Sequence, residues 1–347
     1  VNLPAGTAGL VVGVADYANN FGTNACTLVQ NGSDKIGGAT FNAIIGTNGV
    51  AVTLVFVDST KGWIVTDAGN ETDAPTAKFI TATGGSIATR CTNFKVHTFT
   101  GPGTFQVTCA GNPAGSTSVD YLVIAGGGGS GTAGAGGGGA GGYRESHSSP
   151  VSGCYTASPL ATPTAITTPV ASYPIVVGGG GAGLVRPTPI PGPGGARGAC
   201  SSFSTITSTG GGGSPSQTEA ITPTAPGGSG AGLAKGGTGP AGVGNTPSQS
   251  PPQGNNGGVN GPVSSGGGGG AGGVGTDGNP GIGGAGTSSE ISGSAVVRAG
   301  GGGGGSDSGP VAGGPAHPGG GGGGQGGNRP DTNSTNGTDN TGGGGGG

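Results

Sequence analysis

At four places in this sequence a short β-prone apolar segment runs directly into a polyglycine tract: YLVIAGGGG at 121–129, YPIVVGGGG at 173–181, FSTITSTGGGG at 203–213 and SAVVRAGGGGGG at 294–305. A glycine tract offers no side chains with which to build a core, yet each buried N–H and C=O in it must still find a partner. A flexible linker has no reason to place strands at its own borders. The junctions are unequally spaced, which makes them a degenerate module rather than a solenoid of fixed period. Polar, Pro-rich stretches at 143–172, 184–200, 214–226 and 245–264 separate them and read as loops.

Composition divides the 347 residues into two materials. Most of the 94 glycines and 26 prolines lie beyond residue 125, while the front part has the makeup of ordinary β domains. With hydrophobic types at 30% and one Trp, a large conventional core cannot be filled. The expected division is a small β domain at 1–67 that makes oligomer contacts, a polar connector at 68–78, a β-hairpin unit at 79–125 and a glycine-rich domain at 126–347. Val1 at the start and the Gly342–Gly347 run at the end read as the limits of a fragment of a longer or processed polypeptide.

In the front domain, Leu10 to Val14, Thr27 to Gln30, Thr40 to Ile45, Val50 to Val57 and Gly62 to Thr66 are rich in β-formers, with Asn31-Gly32 and Asn48-Gly49 as reversal signals. The near-continuous apolar run at Val50 to Val57 implies burial on both faces, in a sandwich or between chains, with Trp63 as its anchor. Farther on, residues 93–99 alternate, 100–104 turn and 105–108 alternate again, the pattern of a hairpin centred on Pro102. No segment carries a sustained helical period. The fold class is therefore all-β with a polyglycine-II-rich region, small antiparallel β domains at the N-terminal side, packed polyglycine II helices and loops behind them, and essentially no α-helix.

The alternatives for the glycine-rich part are collagen, disorder and a packed lattice. Collagen needs Gly at every third position, and runs of four to six glycines break that period. Disorder usually combines low hydrophobicity with high charge, whereas only 7% of this chain is charged. In a packed lattice, extended three-residue-per-turn helices have no internal hydrogen bonds and satisfy one another. Glycine permits that approach on every side, at an ordering cost of about 0.5–1 kcal/mol per residue relative to Ala. Each run must then be tied to several neighbours.

Net charge is −3 and the basic residues are scattered, so no stripe for nucleic acid is visible. No run of apolar residues is long enough for a membrane-spanning helix. His97, His147 and His317 lack partners at ligand spacing, so no metal site is expected, and His97 reads as an ordinary sheet residue. The G-x-G-x-x-G matches are chance in a chain so rich in glycine, and no P-loop occurs around Lys235, so no cofactor is expected. Glu145, Glu219 and Glu290 have no carboxylate companions nearby, which argues against glycan cleavage and for no catalytic residues.

Five cysteines form no C-x-x-C pair. A hairpin centred on Pro102 offsets Cys91 from Cys109 too far for a bridge. Cys154 and Cys200, both in loops, are the candidate disulfide, with each other or between chains, against the alternative of buried or free thiols. The richest side-chain cluster in the glycine-rich half is Tyr143, Arg144, Glu145, His147 and Tyr155. Rigid aromatics with polar neighbours suit recognition of carbohydrate or protein surfaces; alternatively, Tyr143 and Tyr155 simply cover the edge of the glycine lattice. Arg186, Arg197 and Arg298 stand singly and read as solvent-facing.

The order VDYLVIAGGGG (119–129), GGGGAGGYRES (136–146), YPIVVGGGGAG (173–183), FSTITSTGGGG (203–213), PPQGN (251–255), EISGSAVVRAGGGGGG (290–305) and NTGGGGGG (340–347) resembles the glycine-rich domain of bacteriophage tail-fibre and other virion proteins. KVHTFTGPGTFQVTCAGNPAG (95–115) is similar to the strand pair that precedes it in that family, and residues 9–66 look like another small β unit of phage fibres. The resemblance implies a homo-oligomeric, typically trimeric virion appendage on the particle surface, a tail or head fibre, with polyglycine II helices holding variable loops. Its partners would be other virion proteins and a host-surface glycan or outer-membrane protein, with neither nucleic-acid binding nor membrane insertion. It also implies an apolar closing strand after the last glycine run. The rival reading is a secreted or cell-surface glycine-rich structural fibre without a receptor role.

Overall fold

A computed structural model of the chain describes residues 1–67, 77–132, 134–148, 154–184, 194–216, 225–306, 314–316, 320–328 and 333–347. No helix occurs among them, and the strands are short and mostly paired in small antiparallel sheets. In the front part these are β1 (Val11–Ala15), β2 (Cys26–Leu28), β3 (Ala43–Ile45), β4 (Ala51–Asp58), β5 (Gly62–Val65) and β6 (Ile80–Thr83). Then come β7 (Ser86–Arg90), β8 (Phe94–Thr98), β9 (Gly103–Ala110), β10 (Ser118–Val119), β11 (Leu122–Ile124) and β12 (Tyr143–Ser146). The rest are β13 (Ala161–Thr162), β14 (Ile166–Thr167), β15 (Ser172–Val176), β16 (Ser201–Phe203), β17 (Ile206–Ser208), β18 (Thr287–Ser289) and β19 (Val296–Arg298).

Two compact units are formed. The first comprises Val1–Thr83, Gln106–Val119 and Thr167–Ala171; the second comprises Gly84–Phe105, Asp120–Ile166 and Ser172–Gly347. The stretch 79–125, expected as one β unit, contributes to both.

In the first unit β1, β4 and β5 form an antiparallel sheet, and β2 pairs with β3. Leu3, Leu28, Ile36, Ile45, Val52, Leu54, Phe56 and Trp63 fill the core, with the Phe56 and Trp63 rings edge to face at 5.5 Å. Within the chain β4 buries one face fully and the other in part. Val52, Leu54 and Phe56 are buried while Thr53, Val55 and Val57 are half-buried, so the strand has one inner face despite its composition.

The hairpin centred on Pro102 is not formed. β8 pairs instead with β7, from Ser86↔Thr98 to Arg90↔Phe94, and β9 pairs with β6, from Ile80↔Ala110 to Thr83↔Gln106. The reversal lies at Cys91–Asn93, where Cys91 and Thr92 both take positive φ (44° and 65°). Consecutive positive φ values twist a chain in the sense that closes a hairpin. The alternating pattern marked the strands correctly and says nothing of which neighbour each one takes.

In the second unit the strands β11, β15, β17 and β19 stand ahead of glycine tracts. Inside the tracts, backbone partners recur every three residues. Gly137 N donates to Gly266 O and Ala140 N to Gly269 O; on another side Gly137 O accepts from Gly232 N and Ala140 O from Ser229 N. Between them, Gly138 N donates to Gly345 O and its carbonyl accepts from Gly302 N. The same step appears from Gly126 and Gly129 to Ala199 and Ala196, and from Gly301 and Gly304 to Gly284 and Gly281. Neighbours run both parallel and antiparallel.

At the closest approaches a side chain is excluded. A Cβ at Gly268 or Gly344 would overlap Gly138 O, and one at Gly302 would overlap Gly345 O. Gly126 to Gly129, Gly136 to Gly139 and Gly300 to Gly305 are all buried. Glycine is thus required here by interstrand distance, not by a positive φ.

Candidate functional site

The tract at Gly136–Gly139 leads into β12, which places Tyr143, Arg144 and Glu145 of the cluster singled out from sequence on a strand rather than in the loop expected at 143–172, with His147 just beyond its end and Tyr155 in the following loop. β12 is central in its sheet, antiparallel to β11 (Leu122↔Glu145, Ile124↔Tyr143) and parallel to β13 (Glu145↔Ala161). A strand between two others has little freedom, so alternate side chains are committed to opposite faces.

Tyr143 and Glu145 share the inner face and are 1% and 2% exposed. Tyr143 packs with Ala140, Ala271 and Ala299, flanked by Leu122, Ile124 and Leu160. Its hydroxyl donates to Glu145 Oε2 at 2.8 Å, Ser158 N donates to the same oxygen at 3.1 Å, and Ser289 Oγ donates to Oε1 at 2.6 Å. The carboxylate therefore ties β12 to the loop before β13 and to β18. Burial, and then the Glu145 charge, push the Tyr143 hydroxyl well above the ordinary tyrosine range. As direct receptor contacts these two residues are corrected: both are interior, which agrees for Tyr143 with the alternative that it covers the glycine lattice.

The remaining members reach the surface in part. Arg144, on the opposite face, donates through Nη1 to Gln249 Oε1 at 2.6 Å. His147 and Tyr155 are half-buried with ring centroids 4.6 Å apart, and the Tyr155 hydroxyl donates to Ser146 O at 3.4 Å. Burial first, then the charges of Asp120 and Glu145, raise the Tyr155 hydroxyl above its usual range. Asp120 fixes the base of this loop by accepting from Ser146 Oγ, Ser148 N and Ser148 Oγ at 2.7, 3.0 and 2.7 Å. His147, Tyr155, Thr156, Ala157, Ser158, Ala161 and Pro163 line an open groove of about 470 Å³. Hydroxyls and one aromatic pair among these residues can bind a neutral polar ligand there.

The loop is anchored by a bond that the sequence did not point to. Cys154 is bridged to Cys91, with Cα atoms 5.9 Å apart, and Cys200 is a free, exposed thiol. The Cys154–Cys200 candidate is corrected accordingly. The pairing of β8 with β7 puts Cys91 at a hairpin tip, where it meets Cys154; the mistaken hairpin had hidden that meeting.

Glu290 supports the same loop, accepting from Thr156 N at 2.9 Å through Oε2 while its own N–H donates to Thr156 O at 2.9 Å. Sequence reasoning passed over Glu290, Ser289 and Ser158 as supports; Glu290 and Ser289 stand 134 and 144 positions from Thr156 and Glu145, which they hold. Arg298, expected to face solvent, is half-buried and donates to Val296 O and Ser292 Oγ; burial lowers its pKa, against the raising influence of Tyr143 and Glu145. Arg197 is exposed as expected, whereas Arg186, His317 and Glu219 lie outside the described residues. His97 donates from Nδ1 to Gly84 O at 2.8 Å and stacks edgewise on Phe105 at 5.1 Å, the ordinary sheet role expected for it.

Among the described residues, no helix is long and apolar enough to cross a membrane, and no group of three or more His, Cys, Asp or Glu could hold a metal ion. A family model described as a glycine-rich domain matches residues 98–347. No curated protein and no solved structure matches the chain.

Proposed function

The chain belongs to the glycine-rich domain family, and we propose that it is a non-enzymatic virion structural protein of the phage fibre type, on a tail or a head, that presents loops to a host surface. The glycine tracts act as polyglycine II helices packed into a scaffold. The observation that carries this reading is the three-residue recurrence of backbone bonds, which is the repeat of an extended three-residue-per-turn helix. Such a scaffold holds loops still without spending side chains on a core, so recognition residues stay free to vary. Arg144, His147 and Tyr155, not the buried Tyr143 and Glu145, are then the contacts offered to a glycan or outer-membrane protein. The partners in the particle are further copies of the chain and other virion proteins.

The test is to image particles labelled with an antibody against this chain and to measure host-cell binding of the purified protein. A discrete appendage and binding reduced by Tyr155→Ala support the proposal. A periodic filament with one chain per repeat, and no binding to any cell surface, would replace it with the secreted or cell-surface structural fibre.

A further inference from the structure

β1 is an edge strand: it pairs with β4 from Val11↔Val55 to Ala15↔Ala51, and no second strand pairs with it among the described residues. Its flanks fix which backbone groups face inward. Leu10 O accepts from Phe56 N and Asp16 N donates to Val50 O, both at 2.9 Å. By the alternation of an antiparallel ladder, Val12 and Val14 bond to β4, while Val11, Gly13 and Ala15 turn their N–H and C=O groups outward. The bond found on that outward row among the described residues is local, from Tyr17 N to Ala15 O at 3.1 Å.

This edge lacks the usual protections. Leu10 to Ala15 contains no charge and no proline, and Val11 is 56% exposed. Edges of this kind pair with other chains unless something prevents it. Gly13 in mid-strand sharpens the point. A Cβ there would meet nothing within 4 Å, and its φ is not positive. Glycine weakens a strand interior and often marks the close approach of another backbone, and among the described residues no backbone approaches a Cβ placed there.

We propose that β1 is the contact with a second copy of this chain, paired antiparallel about a two-fold axis at Gly13. The edge is its own complement. Reversed about Gly13, it sets Val11 against Ala15 of the other copy and Gly13 against Gly13, so each outward N–H meets a C=O. Because the segment is uncharged, no like charges oppose each other across the axis. A head-to-tail arrangement is disfavoured, since the far edge of the sheet at β5 is already bridged by Ile36 to Trp63. A self-complementary patch is the signature of a two-fold contact. This inference does not depend on the fibre reading and differs from the three-fold assembly that the resemblance implies.

Sedimentation of the full chain tests it: the expected mass is twice the 31.5 kDa of one chain. Gly13→Glu, tolerated sterically, should give single chains with unchanged circular dichroism, and Val11→Lys should do likewise. Gly13→Cys should cross-link to its own copy under oxidation, because opposed Cα atoms in a hydrogen-bonded pair are about 5.5 Å apart, within disulfide range. A parent mass of one or three chains overturns the proposal. So does a two-chain mass that persists in folded Gly13→Glu or Val11→Lys. If both variants unfold, the absence of a Gly13→Cys cross-link overturns it.

Discussion

The Tyr143 hydroxyl donates a 2.8 Å hydrogen bond to Glu145 Oε2, two positions farther along the same strand and on the same buried face. Side chains at i and i+2 of a strand point together, so the strand closes its own polar pair before Ser158 and Ser289 complete it. Tyr143→Phe removes a bond to a charged acceptor and should cost about 1.5–3 kcal/mol. Glu145→Ala strands three donors and should cost more, on the order of 3 kcal/mol or above. Urea unfolding of the two variants checks this; a milder effect from Glu145→Ala would contradict the network.

Alkaline pH should act on the same site. The hydroxyls of Tyr143, Tyr155 and Tyr121 are raised above the ordinary value of 10.0, in each case first by burial. The neutral form is thus favoured in the fold. Their contribution is fully present below pH 10 and is lost as pH rises above it, because the unfolded chain ionises first. Melting temperature should fall above that pH, and part of the tyrosinate absorbance should appear only as the second unit unfolds.

In the first unit the pH sensitivity lies at the acid end. Burial pushes Asp16 upward, but backbone N–H groups of Phe21, Asn20, Gly49 and Ala18 outweigh it and hold the carboxyl below its ordinary 3.8. The bonds from Phe21 N and Gly49 N measure 2.8 and 2.9 Å. This stabilisation is present above pH 3.8 and is lost as pH falls through the lower folded-state value. Asp16→Asn should lower stability at neutral pH and shallow the acid limb of the stability curve. An unchanged limb would remove Asp16 from that role.

Two glycine substitutions separate the interior of the lattice from its rim. At Gly268 an added methyl would overlap Gly138 O, whereas at Gly179 it would meet nothing within 4 Å. Neither residue has a positive φ. Gly179→Ala should be neutral or stabilise by about 0.4–1 kcal/mol through the unfolded chain, while Gly268→Ala should lower the melting temperature markedly. Equal melting of the two would argue against close packing of the tracts.

Reduction should loosen the second unit selectively. The Cys91–Cys154 bridge spans 63 positions, for which loop-closure entropy gives roughly 4 kcal/mol. Peptide mapping of the unreduced protein should recover the Cys91–Cys154 pair, and Cys200→Ser should leave it intact. A linked Cys154–Cys200 peptide would refute the assignment.

Strands β1 to β5, the anchoring by Trp63 and the strand-to-glycine junctions could all be read from residue order, because alternation, turn dipeptides and the lack of side chains are local facts. The cluster at Tyr143 to Tyr155 was legible as a cluster only. Which of its members face out depended on β12 lying between β11 and β13, and the sequence around Tyr143 looks the same on a strand as on a loop. The partners of Glu145 come from Ser158 and from Ser289, 144 positions away. No spacing rule reaches that far.

What the sequence alone determined is the material: short strands that give way to side-chain-free tracts, with too few apolar groups for a conventional core. What the tertiary structure decided is who neighbours whom. Glycine tracts are nearly interchangeable in sequence, and a backbone hydrogen bond does not read side chains, so tract order is set by the strands and turns at their ends. Those long-range closures also turned Tyr143 and Glu145 inward and left Arg144, His147 and Tyr155 nearer the surface.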